Sequence, residues 1–332
     1  MNKKIKMIVF EGPDMCGKST HIDTIVDALN KEGFKFAAYK FPVYNGFKGQ
    51  EILGHLKNFD YRNQMPLESI NILKNHAVRL YVNKIDSLRS MLDIAKENNL
   101  DGFVVDRFDV SQLIYDIAWI NILYSVNNTI LGKEISSRNM DKLLKDFYDS
   151  ATERAFSTHG LFSQYFDIKY IGFVKSKLIS ICAACDSNRR YDKYDENEIY
   201  QNNISDLSEI FFDKLDKLNV IDSLYDEGEL NGISRSIINH KKKVNPLFKF
   251  LLSKEENMEK LCKQIKSNVL AVIDTDKLYR FEAFESNLYV GDDYMSNEKI
   301  VLDLVSEYKN DVTSRIDTLI KEEILKYLHG GK

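Results

Sequence analysis

The chain has 332 residues, 44% of them hydrophobic, which is enough for one large domain or two small ones with a sizeable core. A net charge of −4 and a pI near 6.0 argue against a nucleic-acid polymer as a partner. No stretch reaches the roughly 18 apolar residues that a membrane span needs, and four cysteines are too few for a disulfide framework, so we expect a cytoplasmic protein without a membrane partner.

Short apolar runs alternate along the chain with longer segments of helical periodicity. The runs are rich in Val, Ile, Phe or Tyr and predict strands at residues 5–10, 36–41, 102–106, 168–174 and 268–274. The longer segments predict helices at about 17–31, 66–98, 110–125, 139–155, 177–188, 198–219 and 297–328. Strands separated by helices predict βαβ units and a parallel sheet, and therefore an α/β fold.

The chain has only four prolines, and no linker rich in Gly, Ser or Pro divides it. We therefore expect a single domain over residues 1–332. Two stretches, at about 118–165 and 222–265, are predicted as insertions, which leaves a core of about 5–117, 166–221 and 266–328.

The turn after the first predicted strand carries the clearest motif, because Gly12 to Ser19 match G-x-x-x-x-G-K-[ST] in full. Its glycines let the backbone curl so that N–H groups face phosphate oxygens, and the helix start adds a positive dipole. In such a loop Lys18 reaches the β- and γ-phosphates of ATP, and the Ser19 hydroxyl ligates Mg²⁺. The predicted ATP-binding residues are Gly12, Asp14, Met15, Cys16, Gly17, Lys18, Ser19 and Thr20.

A pair of opposite charges, Asp106 and Arg107, ends the strand predicted at 102–106. Ligands of an open parallel sheet bind at this carboxyl edge. Asp106 can hold the water shell of Mg²⁺, and the planar guanidinium of Arg107 suits a phosphate group. The adjacent charges therefore indicate a second phosphate group that faces the first.

Two further segments carry candidate cations. Arg79 lies in the helix predicted at 66–98, where it is either a surface residue or a phosphate ligand. The segment 185–200 is dense in charge and tyrosine. It is either a solvated loop or a lid, at about 186–197, whose Arg189 and Arg190 enter the site on closure.

These features, taken together, resemble the thymidylate kinases among the P-loop nucleoside monophosphate kinases. "FEGPDMCGKST" at 10–20, "KFP" at 40–42, Arg79 and "DRFDVSQLIY" at 106–115 occur in the family's order. The last segment looks like the family's D-R-[YH]-x-x-S-x-x-x-Y signature, and Asp14 matches its acidic loop residue. The resemblance implies a P-loop kinase fold with a five-stranded parallel sheet flanked by helices, ATP with Mg²⁺ as cofactors, and a deoxynucleoside monophosphate as acceptor.

The resemblance also implies roles for single residues. Asp14 would contact the 3′-hydroxyl of the acceptor, and Tyr115 would pack under its sugar. Some members have a catalytic arginine inside the loop, where this chain has Met15 and Cys16, so that role passes to the lid. The implied catalytic residues are Lys18, Asp106, Arg107, Arg189 and Arg190, and the implied metal ligands are Ser19 and Asp106. The implied acceptor site consists of Asp14, Phe41, Pro42, Asn75, Arg79, Arg107, Ser111, Gln112, Tyr115 and Asp116.

The positions that would face the acceptor base depart from the family pattern. Asn75 stands where many members have a stacking aromatic residue, and Asp116 stands where some have glutamine. Because Asp116 could accept the N3–H of thymine or uracil, dTMP is the expected acceptor, with dUMP or a modified deoxynucleotide as the alternative. The insertions and the composition, rich in Lys, Asn and Ile, would suit a large phage.

Two other functions stay open at this point. A deoxynucleoside kinase would have a carboxylate base where this chain has Phe41, Pro42 and Val43. A non-catalytic nucleotide-binding regulator would have no need of the intact Lys18 and Asp106. The long predicted helices at 66–98 and 297–328 permit a homodimer.

Overall fold

The computed structural model describes residues 4–12, 16–43, 66–113, 116, 137–173, 265, 267–275, 278, 306 and 311–330. In chain order its elements are β1 (Ile5–Glu11), α1 (Lys18–Lys31), β2 (Phe36–Lys40), α2 (Pro66–Glu97), β3 (Gly102–Asp106), α3 (Ser137–Phe162), β4 (Phe166–Phe173), β5 (Val269–Ile273) and α4 (Thr313–Leu328). None of the helices in the described ranges is long and apolar enough to cross a membrane.

The strands form one five-stranded sheet in the order β2-β3-β1-β4-β5, and every neighbouring pair is parallel. The predicted α/β fold and all five predicted strands are confirmed, with bounds that shift by two residues at most. Within the strand order, β2 and β3 lie to one side of β1, and β4 and β5 lie to the other side. The connection after β1 and the connection after β3 therefore run in opposite directions along the sheet. The crevice between β1 and β3 is therefore the switch point at which ligands of such sheets bind.

Successive side chains of each strand point to opposite faces of the sheet. Because β1 is in register with β3 and β4, and β2 with β3, paired residues of neighbouring strands lie on the same face. One face, with Ile8 and Phe10 of β1, packs against α1 and α4. Ile316, Ile320 and Ile324 of α4 are fully buried in this core.

The opposite face of the sheet has an aromatic core. Phe162, at the end of α3, contacts Phe108 with ring centroids 4.8 Å apart, Phe41 at 6.0 Å and Phe166 at 5.9 Å. These rings are buried, so they supply a large part of the apolar area on this face. They also fix the segments that follow β2 and β3, which carry the candidate site.

The helix predictions differ from the structure mainly at α3, which extends to Phe162 instead of ending near 155. Ser157, Thr158 and Gly160 are poor helix formers, but His159 and Phe162 are buried against the sheet and keep the last turns helical. These turns lie in the predicted insertion 118–165, although they pack in the core. The division into core and insertions stays a prediction, and the helices predicted at 177–188 and 198–219 lie outside the described residues.

Candidate functional site

The turn between β1 and α1 is built around glycines and a buried lysine. A Cβ atom on Gly12 would lie 2.5 Å from the backbone oxygen of Phe173, so only glycine fits there. Gly17 has a φ of 90°, in the left-handed region that glycine adopts without strain. The Lys18 ammonium donates to the Gly12 carbonyl at 2.8 Å and lies 3.3 Å from the Cys16 sulfur, so it points into the turn. Asp14 and Met15 lie outside the described residues.

The start of α1 faces the same turn. Among the described residues no side chain caps this end of the helix, and its first turn contains no acidic residue. Ser19 and Thr20 are exposed there. Because the N–H groups of a first helical turn lack helical partners and carry the positive end of the dipole, this arrangement suits an anion such as a phosphate.

Asp106 ends β3 directly opposite the start of α1. Its Oδ2 accepts a hydrogen bond from the Ser19 hydroxyl at 3.0 Å and lies 3.3 Å from the Lys40 ammonium, at the end of the neighbouring strand. Its Oδ1 is buried and has no hydrogen-bond partner in the described part of the chain. An orphaned buried carboxylate oxygen is costly, and a carboxylate with a hydroxyl forms the hard oxygen donor set that Mg²⁺ prefers. The residues present therefore fit a magnesium ion or its bound waters.

Arg107, the residue after β3, contacts both the end of β1 and the turn that follows it. Its φ is 67°, and its backbone N–H donates to the Phe10 carbonyl at 3.0 Å. Its guanidinium lies 3.4 Å from the Gly12 carbonyl oxygen and 3.3 Å from the Ser111 hydroxyl. The candidate catalytic residues Lys18, Asp106 and Arg107 thus converge at the carboxyl ends of β1 and β3.

A buried acid, Glu11, supports the backbone around Arg107. Its Oε1 accepts the N–H groups of Phe108 at 2.7 Å and Ser111 at 3.2 Å, and its Oε2 accepts the Ser111 hydroxyl. Burial raises the pKa of Glu11, although the hydrogen bond from Ser111 lowers it. Ser111 therefore holds the turn rather than projecting alone into the site. Glu11 was not predicted as a site residue, and its signal in the sequence is an acid at the end of a mostly apolar strand.

Lys84 of α2 is a second supporting residue that the sequence analysis missed. Its side chain is buried, and its ammonium donates to the Phe108 carbonyl at 2.5 Å. Burial lowers the pKa of Lys84 to about 8, while the charges of Asp109, Glu11 and Asp116 raise it. Its signal in the sequence is a lysine within the apolar stripe of a helix.

The helix α2 lies beside the segments that follow β2 and β3. Asn83 exchanges two hydrogen bonds with the Val43 backbone, at 3.0 and 3.1 Å, and the Gln112 amide donates to the Ala77 carbonyl at 3.5 Å. Arg79 lies four residues before Asn83, on the same side of the helix, and is half-buried. Asn75 is exposed. The helix that carries both candidates therefore borders the carboxyl edge of the sheet, while their roles toward an acceptor stay predictions.

Two other predicted acceptor residues have partners that the sequence did not reveal. Asp116 is buried and pairs with Arg154 of α3 at 3.1 Å, and burial raises its pKa to about 6 against the opposing charge of Arg154. Phe41 lies in the aromatic core, 5.5 Å from Phe108 between ring centroids, and its peptide bond to Pro42 is cis. The remaining predicted site residues, Tyr115, Arg189 and Arg190, lie outside the described residues.

Comparison with known proteins adds little to this geometry. No protein-family model matches the sequence, and no curated protein matches it. Among solved structures, a thymidylate kinase from Candida albicans matches with 14% identity and a TM-score of 0.27, over 50% of this chain and 84% of that one. A likeness of this size carries no functional argument.

Proposed function

We propose that the protein is an ATP-dependent nucleoside monophosphate kinase, which transfers the γ-phosphoryl group of ATP to a deoxynucleoside 5′-monophosphate. The observation that carries this proposal is the position of Arg107. Its guanidinium lies 3.4 Å from the carbonyl oxygen of Gly12, the first residue of the motif Gly12–Ser19, which we call the phosphate loop. A nucleotide hydrolase would need the Asp106 carboxylate, but it would not need an arginine fork immediately beside it. A second cation aimed at the loop supports a second phosphate group as the acceptor.

The contacts support a role for each residue of the site. Lys18 and the start of α1 would bind the β- and γ-phosphates, and Arg107 would orient the acceptor phosphate. Ser19 and Asp106 would hold Mg²⁺, which supplies charge neutralisation on the donor phosphates when it is bound. In the transfer the bond from the γ-phosphorus to the ADP oxygen breaks, and a bond to an acceptor phosphate oxygen forms. That oxygen is already ionised near neutral pH, so no general base is required.

A pyrimidine is the proposed acceptor base, with dTMP preferred over dUMP or a modified relative. Asp116 supports this choice, because a pKa of about 6 leaves its carboxylate mostly ionised at neutral pH. An ionised carboxylate accepts hydrogen bonds only, which matches the N3–H donor of thymine and uracil and mismatches the N3 acceptor of cytosine. A mismatched buried polar pair costs about 1–3 kcal/mol.

The test is ADP formation with dTMP, dUMP, dCMP, dGMP and thymidine as alternative acceptors. We expect dTMP or dUMP to stimulate ADP formation most strongly. Stimulation by thymidine but not by its monophosphate would favour a deoxynucleoside kinase. The absence of any acceptor-stimulated ADP formation would favour a non-catalytic nucleotide-binding regulator. Formation of a homodimer stays a prediction. Val78 and Val82, which are exposed one helical turn apart on the described part of α2, are compatible with a helix-to-helix contact.

A further inference from the structure

The structure carries an inference about Lys84 that rests on the proposed function. We propose that Lys84 is a positioning residue for Arg107. Its buried ammonium fixes the Phe108 carbonyl, and this contact keeps Arg107 in the backbone conformation that aims its guanidinium at the phosphate loop. Lys84 touches neither substrate in this account and acts only through the Arg107–Phe108 turn.

The turn needs such support because Arg107 has a positive φ of 67°. A residue other than glycine pays about 1–2 kcal/mol for a left-handed conformation, so neighbouring contacts must hold it there. Both polar groups of the next residue are held: Glu11 accepts the Phe108 N–H at 2.7 Å, and Lys84 donates to the Phe108 carbonyl at 2.5 Å. The Phe108 ring is buried against Phe162. With its N–H, carbonyl and ring all fixed, residue 108 leaves Arg107 little freedom to turn away.

The charges around Lys84 explain why a lysine is tolerated at a buried position. Its ammonium interacts with the carboxylates of Glu11, Asp109 and Asp116. Besides Glu11, which accepts from Phe108 and Ser111, the other two acids also have cationic or polar partners on other elements. Asp109 is held by His159 at 2.9 Å and by the Tyr170 hydroxyl, and Asp116 is held by Arg154. Lys84 is therefore one member of a buried ionic network that links α2 to the segment after β3.

The same contact links the two arginines of the proposed acceptor site, Arg79 and Arg107. Lys84 and Arg79 lie on one helix, so the bond from Lys84 to Phe108 also sets how far the Arg79 helix lies from Arg107. The ATP side does not depend on this bond, because Lys18 and Ser19 lie on α1 and Gly17 directly precedes it. Loss of the Lys84 ammonium should consequently weaken acceptor handling and leave ATP binding nearly unchanged.

The experiment compares Lys84→Met with Lys84→Arg, Arg107→Ala and the Lys84→Met/Arg107→Ala double variant. The exposed Lys96, near the end of the same helix, supplies the matched control Lys96→Met. We expect Lys84→Met to lower kcat/KM for the acceptor by about tenfold, with the Kd for ATP changed by less than about twofold. Lys84→Arg should restore part of the loss. In the Arg107→Ala background the further loss from Lys84→Met should shrink to less than about twofold.

An equal loss in both backgrounds would overturn the proposal, because Lys84 would then act independently of Arg107. A second readout does not require any variant to fold. In the unmodified protein, hydrogen exchange at the Phe108 and Ser111 amides should be slow, as at the amides of β1, and exchange as fast as in an exposed turn would also overturn the proposal. If the unmodified protein shows no acceptor-stimulated ADP formation, the proposed function fails, and exchange at these two amides in Lys84→Met, compared with Lys96→Met, still decides whether Lys84 holds the turn: faster exchange supports the proposal and equal exchange overturns it.

Discussion

The hydroxyl of Ser19 lies 3.0 Å from Oδ2 of Asp106, although 87 residues separate them in the chain. The contact joins the start of α1 to the end of β3, across the crevice where the order of the strands reverses. A hydroxyl and a buried carboxylate at this position form the metal-binding half of the proposed site. The guanidinium of Arg107, next to Asp106 in the chain, forms the half that would grip the acceptor.

Replacement of Lys18 tests the donor half of the site. Lys18→Met should reduce phosphoryl transfer by about 100-fold or more. The Lys18 ammonium lies inside the phosphate loop, and a charge positioned in this way typically contributes a factor of that size to the rate. Steady-state ADP formation would measure the loss, and circular dichroism would check that the fold is intact. Transfer within about threefold of the unmodified rate would exclude Lys18 from the proposed role.

The lysine beside Asp106 should compete with the metal. The Lys40 side chain is 65% exposed and shares Asp106 Oδ2 with Ser19, so a metal ion must displace its ammonium or bind beside it. An exposed ion pair contributes at most about 1 kcal/mol, so Lys40→Met should lower the Mg²⁺ concentration for half-maximal ATP binding by no more than about fivefold. Titration of ATP binding with Mg²⁺ measures this shift.

Asp106→Asn is the matched contrast to the Lys40 variant. The change keeps the shape of the side chain but removes the charge that a metal ion would need, so the Mg²⁺ requirement should rise. A fall in both variants, or no change in either, would show that Asp106 does not face the metal.

The Asp116 carboxyl should make stability depend on pH. Burial raises its pKa from 3.8 to about 6, so between these values the folded protein binds more protons than the unfolded chain. The free energy of unfolding should therefore fall as pH rises from about 4 to 6, by at most about 3 kcal/mol from this group. Asp116→Asn should remove this part of the pH dependence, as measured by urea unfolding across the range.

The exposed Asp27 of α1 provides the control for that titration. Asp27→Asn should keep the fall in unfolding free energy that Asp116 gives the unmodified protein between about pH 4 and 6. If Asp116→Asn also keeps this fall, the carboxyl does not titrate in the way that its burial implies.

Gly12 should tolerate no side chain. The Cβ of alanine would lie 2.5 Å from the Phe173 backbone oxygen and 2.9 Å from the Cys16 sulfur, so either β4 or the loop must move. Gly12→Ala should lower the free energy of unfolding by about 1–3 kcal/mol and weaken ATP binding. Gly160→Ala, where nothing lies within 4 Å of the new atom, is the matched control and should be neutral or slightly stabilising. Equal stability of the two variants would contradict the close approach at Gly12.

The sequence predicted the sheet well because its strands are signalled locally. Runs such as "GFVVD" are short, β-branched and bounded by breakers, and the phosphate loop is contiguous in the chain. The supporting residues were not predictable in this way. Glu11 depends on Ser111, which is 100 residues away, and Asp116 depends on Arg154 in a helix that the sequence analysis assigned to an insertion.

The end of α3 was not predictable from the local sequence either. Local propensity places the end of the helix near 155, whereas His159 continues it through its bonds to Asp109 and Tyr170. Partners on other strands and helices decide such features, and a single sequence does not pair them.

The most direct test of two nucleotides meeting across one cleft is the binding of a bisubstrate compound, in which a chain of five phosphates joins adenosine to thymidine. Calorimetry should show that it binds at least about 100-fold more tightly than ATP, because one molecule fills both halves of the site. Arg107→Ala should remove most of that gain and leave the affinity for ATP unchanged. An affinity equal to that of ATP, or a gain that Arg107→Ala does not alter, would contradict the account.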